Sequence, residues 1–335
     1  MSPRNIIVRA PNWVGDAVLS IPALKSLRHR FPASEITLLV RPWVAGLFRY
    51  APFVDHVWDR PSPGILRWIP TAHEVRQKEF DLAVLLTNSF ESALTMFAAG
   101  VRERAGYATD HRGFLLTRRV PPPRRKVHQT SYYLHLLDAS LGPGPGPGID
   151  IDATHGEREA ARRLLAGEGL QNPEPFLVIS PGAAFGSAKR WTEVRFAELA
   201  DRLGGELGLR TVIIGTEAER EIALRIGSLM RTPFTVLAGR TDLETLVGVL
   251  AEASLVVTND SGPMHVAAAL GTPTLGIFGS TDVEVTGPVG RRTQVVRHAV
   301  DCSPCLLREC PIDHRCMEWL TVDEVFEAGR SLATG

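Results

Sequence analysis

The chain alternates short apolar runs with longer segments in which apolar residues recur every three or four positions, as in Trp191–Leu207. The runs are continuous and rich in Val, Ile and Leu, which is typical of strands buried on both faces of a parallel sheet. This pattern predicts an α/β fold built from doubly wound sheets. The predicted strands are Ile6–Arg9, Ile36–Val40, His56–Trp58, Leu82–Leu86, Phe176–Ser180, Thr211–Ile214, Thr235–Leu237, Leu255–Thr258 and Thr274–Phe278.

A run of alternating glycine and proline, Gly142–Gly148, interrupts this periodicity near the middle of the 335-residue chain. Proline fixes φ and lacks a donor, and glycine costs extra backbone entropy to order. The run therefore predicts a boundary between two Rossmann-like domains, residues 1–148 and 149–335. Two such domains facing a central cleft would bind ligands at the carboxyl ends of their strands.

Composition excludes several classes of protein. Lys and Arg number 37 and balance 37 Asp and Glu, which argues against binding nucleic acid through a basic surface. Residues 4–9 run straight into a predicted strand without a secretion signal. The longest apolar stretch, Met264–Phe278, is cut by Gly271, Pro273 and Gly276 and is too short to span a membrane. We expect a cytoplasmic protein that binds no nucleic acid.

All four cysteines lie close together near the carboxyl end, at Cys302, Cys305, Cys310 and Cys316. Their spacing permits tetrahedral ligation of a structural zinc ion or an iron–sulfur cluster. The alternative is a compact group of reduced cysteines that braces the final helix, predicted over Val322–Leu332.

The first strand-to-helix loop, Arg9–Val18, carries Asp16 in the first turn of a helix that we expect to run to about Arg30. A carboxylate in that position is stabilised by the helix dipole and the free N–H groups. It could also act as a general base that takes a proton from an attacking hydroxyl. The spacing leaves both interpretations open.

Two loops of the second half are suited to anions. Ser180–Trp191 combines glycines with the basic pair Lys189 and Arg190, which would suit a diphosphate. Thr258–Gly271 opens an Ala-rich helix whose first N–H groups could hold an anion, with His265 just behind. The alternatives are a solvated basic loop in the first case and an ordinary capped helix with a buried histidine in the second.

A third loop, Gly215–Glu219, places acids just past a strand, where they could accept hydrogen bonds from ribose hydroxyls. Acids are also common in first helical turns, so this loop is weakly informative by itself. No G-x-G-x-x-G follows the first strand of either half, which counts against a nicotinamide oxidoreductase.

Four motifs occur in a specific order along nearly the whole chain. They are Arg9-x-Pro11-Asn12-Trp13-x-Gly15-Asp16 with Pro22-Ala23-Leu24 downstream, Pro181-Gly182-Ala183 through Lys189-Arg190-Trp191, Asn259-Asp260-Ser261-Gly262-Pro263-x-His265-x-Ala267-Ala268-Ala269, and Gly276-x-Phe278-Gly279-Ser280-Thr281. Together with the cysteine spacing, they resemble the ADP-heptose:lipopolysaccharide heptosyltransferases of glycosyltransferase family 9, most of all the heptosyltransferase II branch.

This resemblance implies a GT-B enzyme that transfers heptose with inversion and needs no cofactor for the chemistry. ADP-heptose would bind the carboxy-terminal domain, and the lipopolysaccharide inner core would approach from the amino-terminal one. Asp16 takes the place of the general base, and Lys189 that of the basic residue on the donor phosphates. The implied substrate-binding positions are Asn12, Gly15, Gly182, Ala183, Arg190, Glu219 or Glu217, Asp260, Ser261, Gly262 and His265.

Because such an acceptor is lipid-anchored, we expect peripheral contact with the inner face of the cytoplasmic membrane. Candidate contacts are Trp43, Phe48, Tyr50 and Ile65–Ile69, although core packing explains them as well. The basic residues within Arg118–Lys126 are a more natural partner for an anionic acceptor, although a merely solvated charge run is the alternative.

Other functions predict different behaviour. The alternatives are a GT-B enzyme for another nucleotide sugar, either a glycosyltransferase or a sugar-nucleotide epimerase, and a binding module built around the cysteines. The first would act on a UDP-sugar and not on ADP-heptose. The second would be insensitive to substitutions in the donor loops.

Overall fold

The computed structural model describes residues 2–60, 68–170 and 174–335. The chain divides into two compact units, Met1–Ile149 and Asp150–Gly335, here called the N-terminal and C-terminal units. Among the described residues, each unit contains one six-stranded sheet in which every paired strand is parallel.

The N-terminal unit begins with the strand that carries the first motif. Its strands are β1 (Asn5–Arg9), β2 (Glu35–Val40), β3 (His56–Asp59), β4 (Leu82–Leu85), β5 (Glu103–Tyr107) and β6 (Arg118–Val120). Its α-helices are α1 (Val14–Leu19), α2 (Ile21–Arg30), α3 (Pro42–Ala45), α4 (Trp68–Gln77), α5 (Phe90–Ala98) and α6 (Gln129–Leu141). The strand order is β3-β2-β1-β4-β5-β6.

The C-terminal unit repeats this plan. Its strands are β7 (Phe176–Ser180), β8 (Arg210–Ile213), β9 (Phe234–Val236), β10 (Leu255–Asn259), β11 (Thr274–Phe278) and β12 (Thr293–Arg297). Its α-helices are α7 (His155–Gly167), α8 (Glu193–Leu207), α9 (Arg220–Leu229), α10 (Leu243–Glu252), α11 (Gly262–Ala269), α12 (Val283–Thr286), α13 (Arg315–Glu318) and α14 (Val322–Thr334). The strand order is β12-β11-β10-β7-β8-β9.

Both sheets therefore have the same winding. In each, the first strand is flanked by the second on one side and the fourth on the other, so the direction of winding reverses there. Ligands of doubly wound folds bind at that reversal, outside the carboxyl ends of the strands. In the N-terminal unit this point lies between β1 and β4, and in the C-terminal unit between β7 and β10.

The predicted α/β class is confirmed, and each predicted strand overlaps an observed one. The single helix expected up to about Arg30 is instead two, because the chain turns at Ser20, two residues before Pro22. Proline is tolerated in a first helical turn but interrupts a helix interior, which accounts for the break. The strands β5, β6 and β12 were not predicted.

The glycine–proline run Gly142–Gly148 belongs to the N-terminal unit and is held against α2. The Arg30 guanidinium donates to the Gly142 carbonyl and pairs with Asp138 of α6. Lys25 Nζ donates to the Gly148 carbonyl at 3.3 Å. These contacts therefore hold the run against the N-terminal unit.

Candidate functional site

In the C-terminal unit, the loop between β7 and α8 is fixed at both ends by one side chain, Asn259 at the end of β10. The Asn259 amide donates to the Pro181 carbonyl at 2.7 Å, and its oxygen accepts from the Trp191 backbone N–H at 3.1 Å. Asn259 is fully buried, so these bonds lie in a low-dielectric setting where they are strong. The loop is thereby held over the point where the winding reverses.

A largely buried ion pair lies at this point. Lys189 Nζ lies 2.7 Å from Asp260 Oδ2, with side-chain exposures of 14% and 5%. His265 Nε2 lies 3.9 Å from the other carboxylate oxygen of Asp260. Lys189 also lies 5.0 Å from the centre of the Phe185 ring. The structure thus brings together three residues predicted from two separate motifs, with Asp260 positioning the Lys189 ammonium.

Polar groups at the starts of neighbouring helices face the same edge. Ser261 precedes α11, and its hydroxyl lies 3.0 Å from that of Thr258. At the end of the adjacent strand β11, the hydroxyls of Ser280 and Thr281 are buried without a hydrogen-bond partner in the described residues. A buried hydroxyl without a partner is costly, so these two are additional candidates for ligand contact. Sequence reasoning did not select them, although they belong to the Gly-Ser-Thr motif after a strand.

Glu219 and Glu217, the two acids predicted to accept hydrogen bonds from ribose, lie in different surroundings. The Glu219 carboxylate accepts from Thr216 N and Oγ1 at 2.8 and 2.9 Å and lies so close to Gly182 that a Cβ there would be 2.0 Å from Oε1. Glu217 instead packs against Gly239. Glu219 is therefore the acid that borders the Ser180–Trp191 loop.

The cysteine segment, residues 301–316, packs on the same loops. Ala188 N donates to the Arg308 carbonyl at 3.0 Å, Leu306 N to the Ser280 carbonyl at 2.8 Å, and Ser303 Oγ to the Gly279 carbonyl at 2.5 Å. This segment therefore supports two of the loops that surround the Lys189–Asp260 pair.

The four cysteines differ in exposure, and the metal site predicted for them stays a prediction. Cys302 and Cys305 are exposed, Cys310 is half-buried and Cys316 is buried. Across residues 2–60, 68–170 and 174–335, no group of three or more His, Cys, Asp or Glu side chains could hold a metal ion. Cys316 instead joins the hydrophobic cluster that contains Val325 and Phe326 of α14. Cys316 thereby contributes to the packing of the final helix.

In the N-terminal unit, Asp16 lies half-buried in the first turn of α1, beyond the carboxyl end of β1. Burial raises the pKa of Tyr133 on α6 well above its usual value, and the charge of Asp16 contributes to this shift. Asp16 therefore lies near a buried phenol that sequence reasoning did not identify. Its loop is anchored by Asn12, whose side-chain oxygen accepts from Arg9 and Arg41 and whose carbonyl accepts from Trp43.

The surface predictions have mixed outcomes. Phe48 is fully buried, so its prediction as a membrane contact is wrong, whereas Trp43 and Tyr50 are 51% and 56% exposed. Ile65–Arg67 lie outside the described residues. Arg118 lies in β6 and pairs with Glu103. In the described part of the chain, no helix is long and apolar enough to cross a membrane.

A family model described as glycosyltransferase family 9 (heptosyltransferase) matches residues 68–315. The chain belongs to glycosyltransferase family 9. Lipopolysaccharide heptosyltransferase 2 of Escherichia coli K12 is 32% identical over 308 residues, which cover 87% of each chain. Lipooligosaccharide heptosyltransferase 2 of Haemophilus ducreyi is 30% identical over 311 residues, 87% of this chain and 88% of that one.

A solved structure agrees with these relatives. The structure of E. coli ADP-heptose lipopolysaccharide heptosyltransferase II has a TM-score of 0.87 and 28% identity to this chain, over 98% of each. This family 9 glycosyltransferase is thus an enzyme with a fold of the GT-B type.

Proposed function

We propose that this family 9 glycosyltransferase transfers heptose from ADP-L-glycero-D-manno-heptose to the inner core of lipopolysaccharide, with inversion at the anomeric carbon. The observation that supports it most is the match to an ADP-heptose lipopolysaccharide heptosyltransferase II over 98% of both chains. The Lys189–Asp260 pair lies where a doubly wound unit binds its ligand, which fits a nucleotide sugar.

The donor is proposed to occupy the C-terminal unit. Lys189, held by Asp260, would meet the diphosphate, together with the backbone N–H groups at the start of α11. Glu219 would accept from the ribose hydroxyls, because its carboxylate borders Gly182 of the donor loop. Arg190, Ala183 and His265 complete this proposed set.

The transfer reaction develops charge at two places on the substrates. In the transition state, positive charge develops at the anomeric carbon and negative charge on the departing ADP. A preorganised ammonium and backbone N–H groups stabilise the leaving diphosphate most where water is excluded. Lys189 is only 14% exposed and its position is set by Asp260, so it needs little reorganisation.

Asp16 is the proposed general base. It would take the proton of the attacking acceptor hydroxyl as the new glycosidic bond forms and the bond to ADP breaks. Attack from the face opposite the ADP inverts the anomeric centre. For this, the Asp16 carboxylate must lie within hydrogen-bonding reach of the acceptor hydroxyl.

The site of action follows from the acceptor. A lipid-anchored saccharide made inside the cell requires an enzyme at the cytoplasmic face of the inner membrane. Trp43 and Tyr50 are exposed enough to contact lipid headgroups in such a peripheral arrangement.

The test is heptose transfer from ADP-heptose to a heptose-deficient core acceptor, comparing wild type with Asp16→Asn. We expect a loss in kcat of about 100-fold or more because the base is removed, while the KM for ADP-heptose is unchanged. Asp59→Asn, an exposed carboxylate of the same unit, is the matched control and should keep full activity.

Two results would contradict the proposal. Transfer from a UDP-sugar with none from ADP-heptose would assign a different donor. A normal rate in Asp16→Asn would leave the donor assignment intact and remove Asp16 as the base.

A further inference from the structure

A small cavity opens at the carboxyl ends of the first three strands of the N-terminal unit. Arg9 ends β1, Arg41 follows β2 and Arg60 follows β3, and all three line it. Its volume is about 30 Å³ for the centre of a water-sized sphere, which is room for about two water molecules. Among the described residues that line it, Glu91 of α5 is the acidic one. Positive charge therefore exceeds negative charge around this space.

The Arg9 guanidinium is buried among neutral acceptors. Arg9 is only 9% exposed, and its N–H groups donate to the carbonyls of Ala10 and Leu39 and, at 2.6 Å, to Asn12 Oδ1. Among the described residues, no carboxylate oxygen lies within 4.0 Å of its nitrogens. The same Asn12 oxygen accepts from Arg41 Nε at 3.1 Å. The side-chain oxygen of Asn12 thus accepts hydrogen bonds from both guanidinium groups.

The positive charge of the Arg9 guanidinium therefore lies where little water can solvate it. Burial and the nearby charge of Arg41 together lower the pKa of Arg9 to about 10, while Glu91 opposes the shift. Arg60 is partly neutralised by its ion pair with Glu74. A buried cation without a bonded anion is expensive, so an incoming oxyanion would recover part of the lost interaction.

We propose that this cavity binds a small oxyanion, a carboxylate or phosphate group of the acceptor saccharide, between the guanidinium groups of Arg9 and Arg41. The volume suits one such group and not a sugar ring. Asn12 and Asp16 belong to the same loop and first helical turn, so an anion held here anchors the acceptor beside the proposed base. The saccharide identity rests on the proposed function, but the anion site does not.

Binding is tested directly on the full chain with three sugars at constant ionic strength: glucuronate, glucose 6-phosphate and neutral glucose. We expect an anionic sugar to raise the unfolding temperature of wild type, and the better of the two identifies the preferred group. In Arg41→Gln, the concentration for half-maximal protection should rise by about tenfold or more. Arg76→Gln removes an exposed charge from the same unit and should behave as wild type.

Equal protection of wild type and Arg41→Gln would overturn the inference, as would equal protection by glucose. In transfer assays, Arg41→Gln should raise the KM for the acceptor about tenfold and leave the KM for ADP-heptose unchanged. A purely structural role for Arg41 would instead lower kcat and leave anion protection intact. If wild type transfers no heptose but anions still protect it through Arg41, the proposed function fails and the anion site stands.

Discussion

At the scale of single residues, Arg112 of the N-terminal unit is a fully buried arginine held by several hydrogen bonds. It donates to the carbonyls of Tyr107, Thr87 and Ser89 and to the Ser92 hydroxyl. Burial lowers its pKa to about 10. It therefore ties the loop after β4 to the end of β5, near the point where the winding reverses.

We expect Arg112→Met to leave these acceptors buried without a donor, at a cost of about 2–3 kcal/mol. For a unit of this size, thermal unfolding should shift down by about 5–10 °C, measured by calorimetry. Arg102→Met, at an exposed position of the same unit, should change it little. An unchanged transition in Arg112→Met would show that the loop is held by other contacts.

Cys316 provides a prediction about pH. Burial, together with the neighbouring Cys302, Cys305 and Cys310, raises its pKa from 9.0 to about 11. The unfolded thiol ionises before the folded one, so its contribution to stability is complete below pH 9.0 and is lost as the pH rises to about 11. Alkylation at about pH 8, read by mass spectrometry, should modify Cys302 and Cys305 long before Cys316. Equal labelling rates would contradict this burial.

Residue types and spacing make Lys189, Asp260 and His265 candidates, because charged and polar groups after an apolar strand mark a ligand edge. The structure brings these three side chains together, and their role in binding stays a prediction. Residue types and spacing did not predict the burial of Arg112 or the hydrogen bonds that connect Arg9 and Arg41 through Asn12. Arginine is usually a surface residue, and nothing local indicates that Arg9 and Arg112 are buried. Their environment depends on strand order, which joins residues distant in sequence.

At the scale of elements, the loop from Pro181 to Trp191 depends on the cysteine segment. Ala188 donates to the Arg308 carbonyl, and Gly186 approaches the same backbone so closely that a Cβ would lie 2.2 Å from that oxygen. This contact requires glycine at residue 186. The backbone conformation does not, because it is extended and open to any residue.

Gly186→Ala should therefore separate the two segments and displace Lys189, because the clash is with backbone and cannot be relieved by a side-chain rotation. We expect ADP binding, measured by calorimetry, to weaken by about tenfold or more. The matched control is Gly205→Ala in α8, where a Cβ meets nothing within 4 Å and should slightly favour the helix. Unaltered ADP affinity in Gly186→Ala would separate the cysteine segment from the donor site.

The elements that sequence predicted well are the strands with continuous Val, Ile and Leu. The missed strands lack that pattern. β5 begins with Glu103 and Arg104 and contains Gly106, β6 is three residues with two arginines, and β12 is a half-exposed edge strand. These strands form because neighbouring strands supply hydrogen-bonding partners, which the composition of the segments themselves does not show.

At the scale of the whole molecule, each unit has its own core and its own point where the winding of the sheet reverses. The cluster around Ile179 and Val257 belongs to the C-terminal unit, and that around Ile7 and Ala83 to the N-terminal unit. This separation predicts that ADP and the acceptor stabilise different parts of the chain.

Hydrogen exchange of the full chain should therefore show ADP slowing exchange in residues 181–191 and 259–264 with no change at residues 10–16. Ligand binding suppresses local opening only where contacts form. Lys189→Ala should abolish the ADP effect, whereas Asp59→Asn should preserve it. Protection confined to residues 10–16 would reverse the proposed assignment of the two units.

The two sheets share one strand order, and this repetition bears on how specificity can evolve. Loops at one edge can accumulate mutations without disturbing those at the other, because the scaffold beneath each is complete in itself. A lineage can thus adapt to a remodelled cell-surface sugar while it retains an unaltered activated precursor. Divergence among descendants of such an enzyme is expected to concentrate on a single half.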